Sequence, residues 1–190
     1  WKFEDKLILI CNASNREKIS KHLINNNIEF KDQTFDTCLI AIQGPNTENH
    51  LKDLLDLPKH FSAVDNGEYI CARTGYTGED GFEIMFKNSK LDEILNHIVR
   101  KEIKPCGLGS RDTLRLEASL PLYGFELTEE ISPVEANLKW VITNKEDYLG
   151  KEIINNELNS SNHKTLKKFV IDSKKIARTG TKVKSNNING

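Results

Sequence analysis

Arg73-Thr74-Gly75-Tyr76-Thr77-Gly78-Glu79-Asp80-Gly81-Phe82-Glu83 is the stretch that decides how this chain folds. Glycine is used where a backbone must take φ > 0 or pass close to another group, and here it recurs at 75, 78 and 81. Residues 67–73 lead in with strand-like alternation, and Phe82-Glu83-Ile84-Met85-Phe86 leads out the same way. The reading is a β-hairpin with a wide, glycine-bent loop. Such a loop is either an elaborate turn or a binding loop, because polar groups held on loops are common contact points for ligands.

The rest of the composition narrows the classes available. The chain has 190 residues, enough for one large domain or two small ones, with 27 Lys and Arg against 28 Asp and Glu. This balance supplies no basic field for a nucleic-acid backbone or an anionic membrane. The longest apolar runs, Leu7-Ile8-Leu9-Ile10-Cys11 and Cys38-Leu39-Ile40-Ala41-Ile42, are strand-sized and far short of the ~20 residues a membrane helix requires. No C-x-x-C spacing joins Cys11, Cys38, Cys71 and Cys106, so neither a zinc site nor a redox motif is expected. Cys11, Cys38 and Cys71 fall inside expected strands, where a reduced thiol packs as a small apolar group and a reducing compartment is implied. The scattered histidines form no ligand pair, and no metal is expected. The Asn-rich runs, such as Asn25-Asn26-Asn27, read as nucleotide bias in the source rather than chemistry.

Outward from the hairpin, periodicity predicts strand 6–11, helix 14–25, strand 28–31 and strand 37–43. Asn12 or Ser14 can cap the first helix. A second helix is expected after Gly44, with Pro45 in its first turn and Leu51, Leu54 and Leu55 inward. A third spans 91–101, with Leu91, Ile94, Leu95 and Ile98 on its inner face. A fourth runs from Ser110 to about Leu120 and is stopped by Pro121. Residues 137–143 are expected as a strand ending near Trp140, 150–158 as a short helix, 159–162 as a linker, and 166–171 as a further strand. The fold class is α+β, with mixed or antiparallel sheets and packed helices of split β-α-β type. The expected domains are 1–158 as a binding core and 164–190 as the beginning of a second, C-terminal domain.

Glu83 is the first candidate for chemistry. Strand alternation sets Phe82 and Ile84 on one side and Glu83 with Met85 on the other. With one sheet face in water, Glu83 is merely solvated. With both faces covered, it needs a partner and could accept two N–H bonds from a flat heterocycle. Arg111 follows Gly107-Leu108-Gly109 near a helix start, where the dipole disfavours a cation, so Asp112 or a bound ligand must compensate it. Arg115 reads as structural. Tyr76, Tyr123 and Trp140 have aromatic faces with polar edges suited to sandwiching a ring; for Trp140 the core role is the preferred one, and Tyr76 is the better candidate. Asn12 is a helix cap or a polar contact.

Three segments together resemble the aminomethyltransferase, or T-protein, family of the glycine cleavage system. They are the hairpin loop, Gly107-Leu108-Gly109-Ser110-Arg111-Asp112-Thr113-Leu114-Arg115-Leu116-Glu117-Ala118, and Ile131-Ser132-Pro133-Val134-Glu135-Ala136-Asn137-Leu138-Lys139-Trp140. The second segment continues as Leu120-Pro121-Leu122-Tyr123-Gly124, and Cys11-Asn12-Ala13-Ser14-Asn15, Gln43-Gly44-Pro45 and Lys145-Glu146-Asp147-Tyr148-Leu149-Gly150-Lys151 are weaker matches in the same order. The resemblance implies a folate-binding core followed by a C-terminal β-barrel. It implies transfer of a one-carbon unit from the aminomethyl-lipoyl arm of H-protein to tetrahydrofolate as co-substrate, with release of ammonia. It also implies that Glu83 binds the pterin and that Arg111 contacts folate; Tyr76, Tyr123, Asn12 and Trp140, singled out by their own chemistry, are the further candidate folate contacts. No catalytic residue is assigned: the family's catalytic aspartate belongs to a Gly-Gly-x-x-Asp-Asp-type segment upstream of strand 6–11, and Asp5 lacks those neighbours. The chain is accordingly expected to be an internal piece without turnover of its own. Family members are cytoplasmic in bacteria and mitochondrial in eukaryotes. The same architecture occurs in sarcosine- and dimethylglycine-type demethylases, which carry a flavin domain upstream. It also occurs in a non-enzymatic iron–sulfur maintenance group, whose Lys-Gly-Cys-aromatic motif is missing around 145–150.

Overall fold

The computed structural model describes residues 1–143, 147–160, 162–172, 174, 176–178, 180–185 and 188–189. The chain divides into two compact units, Trp1–Phe125 and Glu126–Gly190.

In the first unit the hairpin forms as its alternation requires. Strand β3 (Tyr69–Ala72) and strand β4 (Gly81–Lys87) run antiparallel, with Cys71 opposite Ile84 and Ala72 opposite Glu83. Strand β1 (Thr37–Gln43) pairs with the other edge of β4, and β2 (Ala63–Asp65) pairs with β3. The result is a four-stranded antiparallel sheet in the order β1-β4-β3-β2. Phe82, Ile84 and Phe86 lie on one face of β4 and are buried, whereas Glu83 and Met85 on the other face are half-buried. Burying a Phe or Ile side chain is worth about 1.5–3 kcal/mol, so this register is held by the side chains of its inner face. Cys71 sits among them, and burial pushes its thiol up to about 12, leaving it an inert apolar filler.

Helix α1 (Arg16–Asn25) precedes the sheet, and short helix α2 (Thr47–Leu51) follows β1. Helix α3 (Leu91–Arg100) lays Leu91, Ile94 and Ile98 on the core face of the sheet, while Leu95 faces outward. Asp92 and Glu93 in its first turn and His97 and Arg100 in its last suit the helix dipole. Helix α4 (Leu108–Glu117) completes the unit.

Helices α1, α3 and α4 end alike. Asn27, Glu102 and Ser119 take φ of 55°, 56° and 61°. The amide of the next residue donates back to the last turn: Ile28 to Leu23, Ile103 to Ile98, Leu120 to Arg115. This is the αL termination that satisfies the free carbonyls at a helix end. Asn27 thus has a structural task, which corrects the reading of its run as source bias alone. Pro121 lies beyond the stop made at Ser119 and does not itself end α4. Pro45 likewise stands before the helix it was expected to begin.

Several expected strands are not strands. Residues 6–11 make only a bridge between Lys2 and Leu7, with Leu7 and Leu9 exposed and Cys11 outside any sheet. Residues 28–31 belong to a loop pinned by Asp32, which accepts from the Thr34 amide and from Arg16 Nε. The Thr34 amide first, and then its hydroxyl and Arg16, lower the Asp32 carboxyl to about 2. A strand needs a neighbour to satisfy its backbone groups, and alternation alone does not supply one.

The second unit contains a 3₁₀ turn, Lys139–Val141, where a strand over 137–143 was expected, because Asn137 adopts φ 60° and turns the chain. Val134 and Ala136 are buried, while Trp140 is 81% exposed, which removes the core role considered for it. Helix α5 (Lys151–Leu158) is present as expected. Residues 166–171 form no strand; the Leu166 amide donates to Glu135 O. Strands β5 (Lys184–Ser185) and β6 (Ile188–Asn189) pair antiparallel. Lys145 and Glu146 lie outside the described residues.

The core face of β4 sets the first prediction. Ile84→Ala should cost about 2–5 kcal/mol, read as a lower urea midpoint, whereas Met85→Ala on the opposite face should cost less than half as much.

Candidate functional site

The loop between β3 and β4 is closed by charge. Arg73 donates through Nε and Nη2 to the two carboxylate oxygens of Asp80 at 3.0 and 2.5 Å, and Nη2 reaches Glu48 of α2 at 2.7 Å. Its guanidinium also lies 5.1 Å from the centre of the Phe82 ring. The two-point geometry is the strong form of an arginine–carboxylate pair. Hydrogen bonding from Arg73 holds the Asp80 carboxyl below the usual carboxylate range, with smaller help from His60 at 3.7 Å.

Gln43, at the end of β1, then joins both legs of the loop. Its Nε2 donates to Thr74 O at 3.2 Å and to Phe82 O at 3.4 Å, and Oε1 accepts from the Thr77 hydroxyl at 3.4 Å. A Cβ on Gly75 would fall 1.8 Å from Gln43 Oε1, and one on Gly81 would fall 2.7 Å from the carbonyl oxygen of Ile42. Gly78, at φ 79°, would place a Cβ 2.7 Å from that of Ala118 at the end of α4. The glycines are therefore set by close approach of this protein's own atoms.

Within this frame the sequence candidates take their places. Glu83 is half-buried, and its Oε2 accepts from the Thr74 hydroxyl at 2.5 Å. The Tyr76 ring is half-buried, with its hydroxyl donating to the carbonyls of Leu120 and Pro121. Arg111 is exposed on α4, its guanidinium 5.6 Å from the centre of the Tyr76 ring. Asp112 does not neutralise Arg111, since it receives Arg115 Nε at 2.8 Å. Arg115 is itself buried and donates to Leu120 O, the structural role expected of it. The fold thus gathers Glu83, Thr74, Tyr76 and Arg111 around one loop, presenting an acid, an aromatic face and a guanidinium.

The remaining candidates make contacts of their own elsewhere. Tyr123 receives Lys18 Nζ at its hydroxyl, at 3.3 Å. Asn12 is exposed and makes no side-chain cap; its carbonyl accepts from the Asn15 amide. Trp140 belongs to the other unit. Two concavities lie away from Glu83, Tyr76 and Arg111. One, of about 140 Å³, lies in the apolar core between α3 and the sheet; the other, of about 580 Å³, is lined by residues of the second unit such as Ser132, Tyr148 and Ile154. Among the described residues, no group of His, Cys, Asp and Glu is placed to hold a metal ion, and no helix is long and apolar enough to cross a membrane. Sequence reading missed Gln43, Thr74 and Ala118 as parts of the site. The glycines at 75, 78 and 81 were the signal, but nothing in them names the atoms they make room for.

Residues 2–146 match the family described as the GCVT N-terminal domain. An aminomethyltransferase from Rubrobacter xylanophilus is 37% identical over 187 residues, which cover 91% of this chain and 50% of the relative. One from Bacillus subtilis is 35% identical over 204 residues, covering 97% and 56%. The glycine cleavage system aminomethyltransferase T from Bartonella henselae has a similar crystal structure. Its TM-score is 0.61 at 28% identity, over 70% of this chain and 39% of that one. The chain spans about half the length of the curated relatives it matches.

Two predictions follow from the loop. Gly81→Ala, which drives a methyl group against the Ile42 carbonyl, should lower stability by about 1–3 kcal/mol, seen as a lower melting temperature and faster amide exchange at Gly44, whose amide donates to Asp80 O. Asp80 has a depressed folded-state pKa, so the stability it contributes is present above the ordinary carboxylate value of about 3.9 and lost as pH falls through the folded value. The gap in urea midpoint between the parent and Asp80→Asn should therefore be widest near neutral pH and close in acid.

Proposed function

Because the chain belongs to the GCVT N-terminal domain family, we propose that it forms the folate-handling part of an aminomethyltransferase. The reaction moves the one-carbon unit from the aminomethyl-lipoyl arm of H-protein to tetrahydrofolate and releases ammonia. The observation that carries this reading is the half-buried Glu83 carboxylate, fixed by Thr74 beside a loop whose Tyr76 ring faces Arg111.

These residues fit a reduced pterin. Glu83 can accept the adjacent N–H donors of an amino-pyrimidine edge, a charge-assisted pairing favoured over contact with water once the ring covers it. Tyr76 offers a ring face. Arg111, with no carboxylate partner among the described residues, offers donors to a carbonyl or carboxylate of the ligand. Tyr123, Asn12 and Trp140 are proposed as outer folate contacts. Tetrahydrofolate supplies the nucleophilic nitrogen that receives the one-carbon unit; the residues here bind and orient it, and such positioning is a large part of rate enhancement. We assign no catalytic acid or base within the chain.

In the same reading, residues 1–158 form the folate-binding core, with a split β-α-β pattern, and 164–190 begin a C-terminal barrel. A bacterial source would place the protein in the cytoplasm.

Calorimetric titration with tetrahydrofolate tests the site. Glu83→Ala and Arg111→Ala should each weaken binding about tenfold or more, a loss of roughly 1.4–3 kcal/mol, while melting temperatures move by about 4 °C or less. Unchanged affinity in both variants would reject the assignment.

A further inference from the structure

We propose that Thr74 is a positioning residue, fixing the plane of the Glu83 carboxylate so that Oε1 faces the ligand; this rests on the folate reading of Glu83. A glutamate carboxylate turns easily, because its last torsion is broad and roughly two-fold. On β4 nothing in the strand itself would stop that rotation. The hairpin register supplies the stop. Ala72 stands opposite Glu83, and Thr74, two residues beyond Ala72, returns to the same face, within reach across the loop. Its hydroxyl donates to Glu83 Oε2 at 2.5 Å. Among the described residues Oε1 has no donor, so one oxygen is engaged and one is left to accept.

Thr74 is itself anchored. The Gln43 amide donates to the carbonyls of Thr74 and Phe82, tying Thr74 itself and the residue before Glu83 into one frame. Arg73, immediately before Thr74, is locked to Asp80. The hydroxyl that orients the acid therefore hangs from backbone fixed on both sides, and a side chain ordered in advance spares the ligand the entropy of ordering it. Serine preserves the donor. Valine preserves the shape and removes it.

Tetrahydrofolate titration of Thr74→Val, Thr74→Ser, Glu83→Gln and the Thr74→Val/Glu83→Gln double variant tests this. Thr74→Val should bind about fivefold to tenfold more weakly than the parent, and Thr74→Ser within about twofold of it. In the Glu83→Gln background the valine change should have little further effect, because its action runs through the carboxylate. A ligand-free readout is also decisive: Glu83 side-chain couplings by NMR should report one rotamer in the parent and in Thr74→Ser, and averaging in Thr74→Val. Equal losses from valine in both backgrounds, or a Glu83 rotamer indifferent to valine, would overturn the proposal while leaving the role of Glu83 intact. Ordered Glu83 couplings together with unaltered affinity in Glu83→Gln would instead overturn the folate reading, and with it the ligand-facing role of Thr74.

Discussion

The pairing of Arg73 with Asp80 is the constraint on which the rest of this hairpin depends. It spans the glycine-bent loop at its base, with Glu48 and the Phe82 ring on the remaining sides of the guanidinium. A loop with glycines at 75, 78 and 81 has a large entropy to lose on ordering, and a two-point ion pair at its neck removes much of that freedom at once. Thr74, Tyr76 and Glu83 lie on or beside the loop so closed, and their geometry depends on it.

Strand β4 divides structural and chemical work between its two faces. Phe82, Ile84 and Phe86 fill the core with Cys71 and Leu51, while Glu83 looks the other way and meets Thr74. Because alternate residues must face opposite ways, a strand anchored firmly on one side presents its other side in fixed register. The apolar residues of β4 thus position the acid without touching it. Helix α4 adds to this from outside: its end packs Ala118 against Gly78, and Arg111 lies over Tyr76.

Where a segment's own pattern sufficed to choose its partner, the sequence reading agreed with the structure. The stripe of Leu91, Ile94 and Ile98 announced α3, and the alternation at 82–86 announced both β4 and the direction of Glu83. Where an apolar run had no neighbouring strand, it misled: residues 6–11 and 166–171 are apolar enough for strands but form no ladder. At 137–143 one residue, Asn137, enters the left-handed region and converts an expected strand into a turn. The resemblance to a known family was legible from the loop and from the α4 segment, and the matched family agrees with it.

By itself the amino-acid sequence determined the hairpin, the core-facing side of β4 and the pairing of an acid with a tight glycine loop, since all three are local patterns of period and backbone freedom. Only the tertiary structure decided what the glycines accommodate and which hydroxyl meets the acid. Gln43 meets Thr74 and Phe82 from a different strand, and Asp112 turns to Arg115 instead of Arg111. Such choices compare alternatives distant along the chain or equally near within it, and three-dimensional packing alone separates their energies.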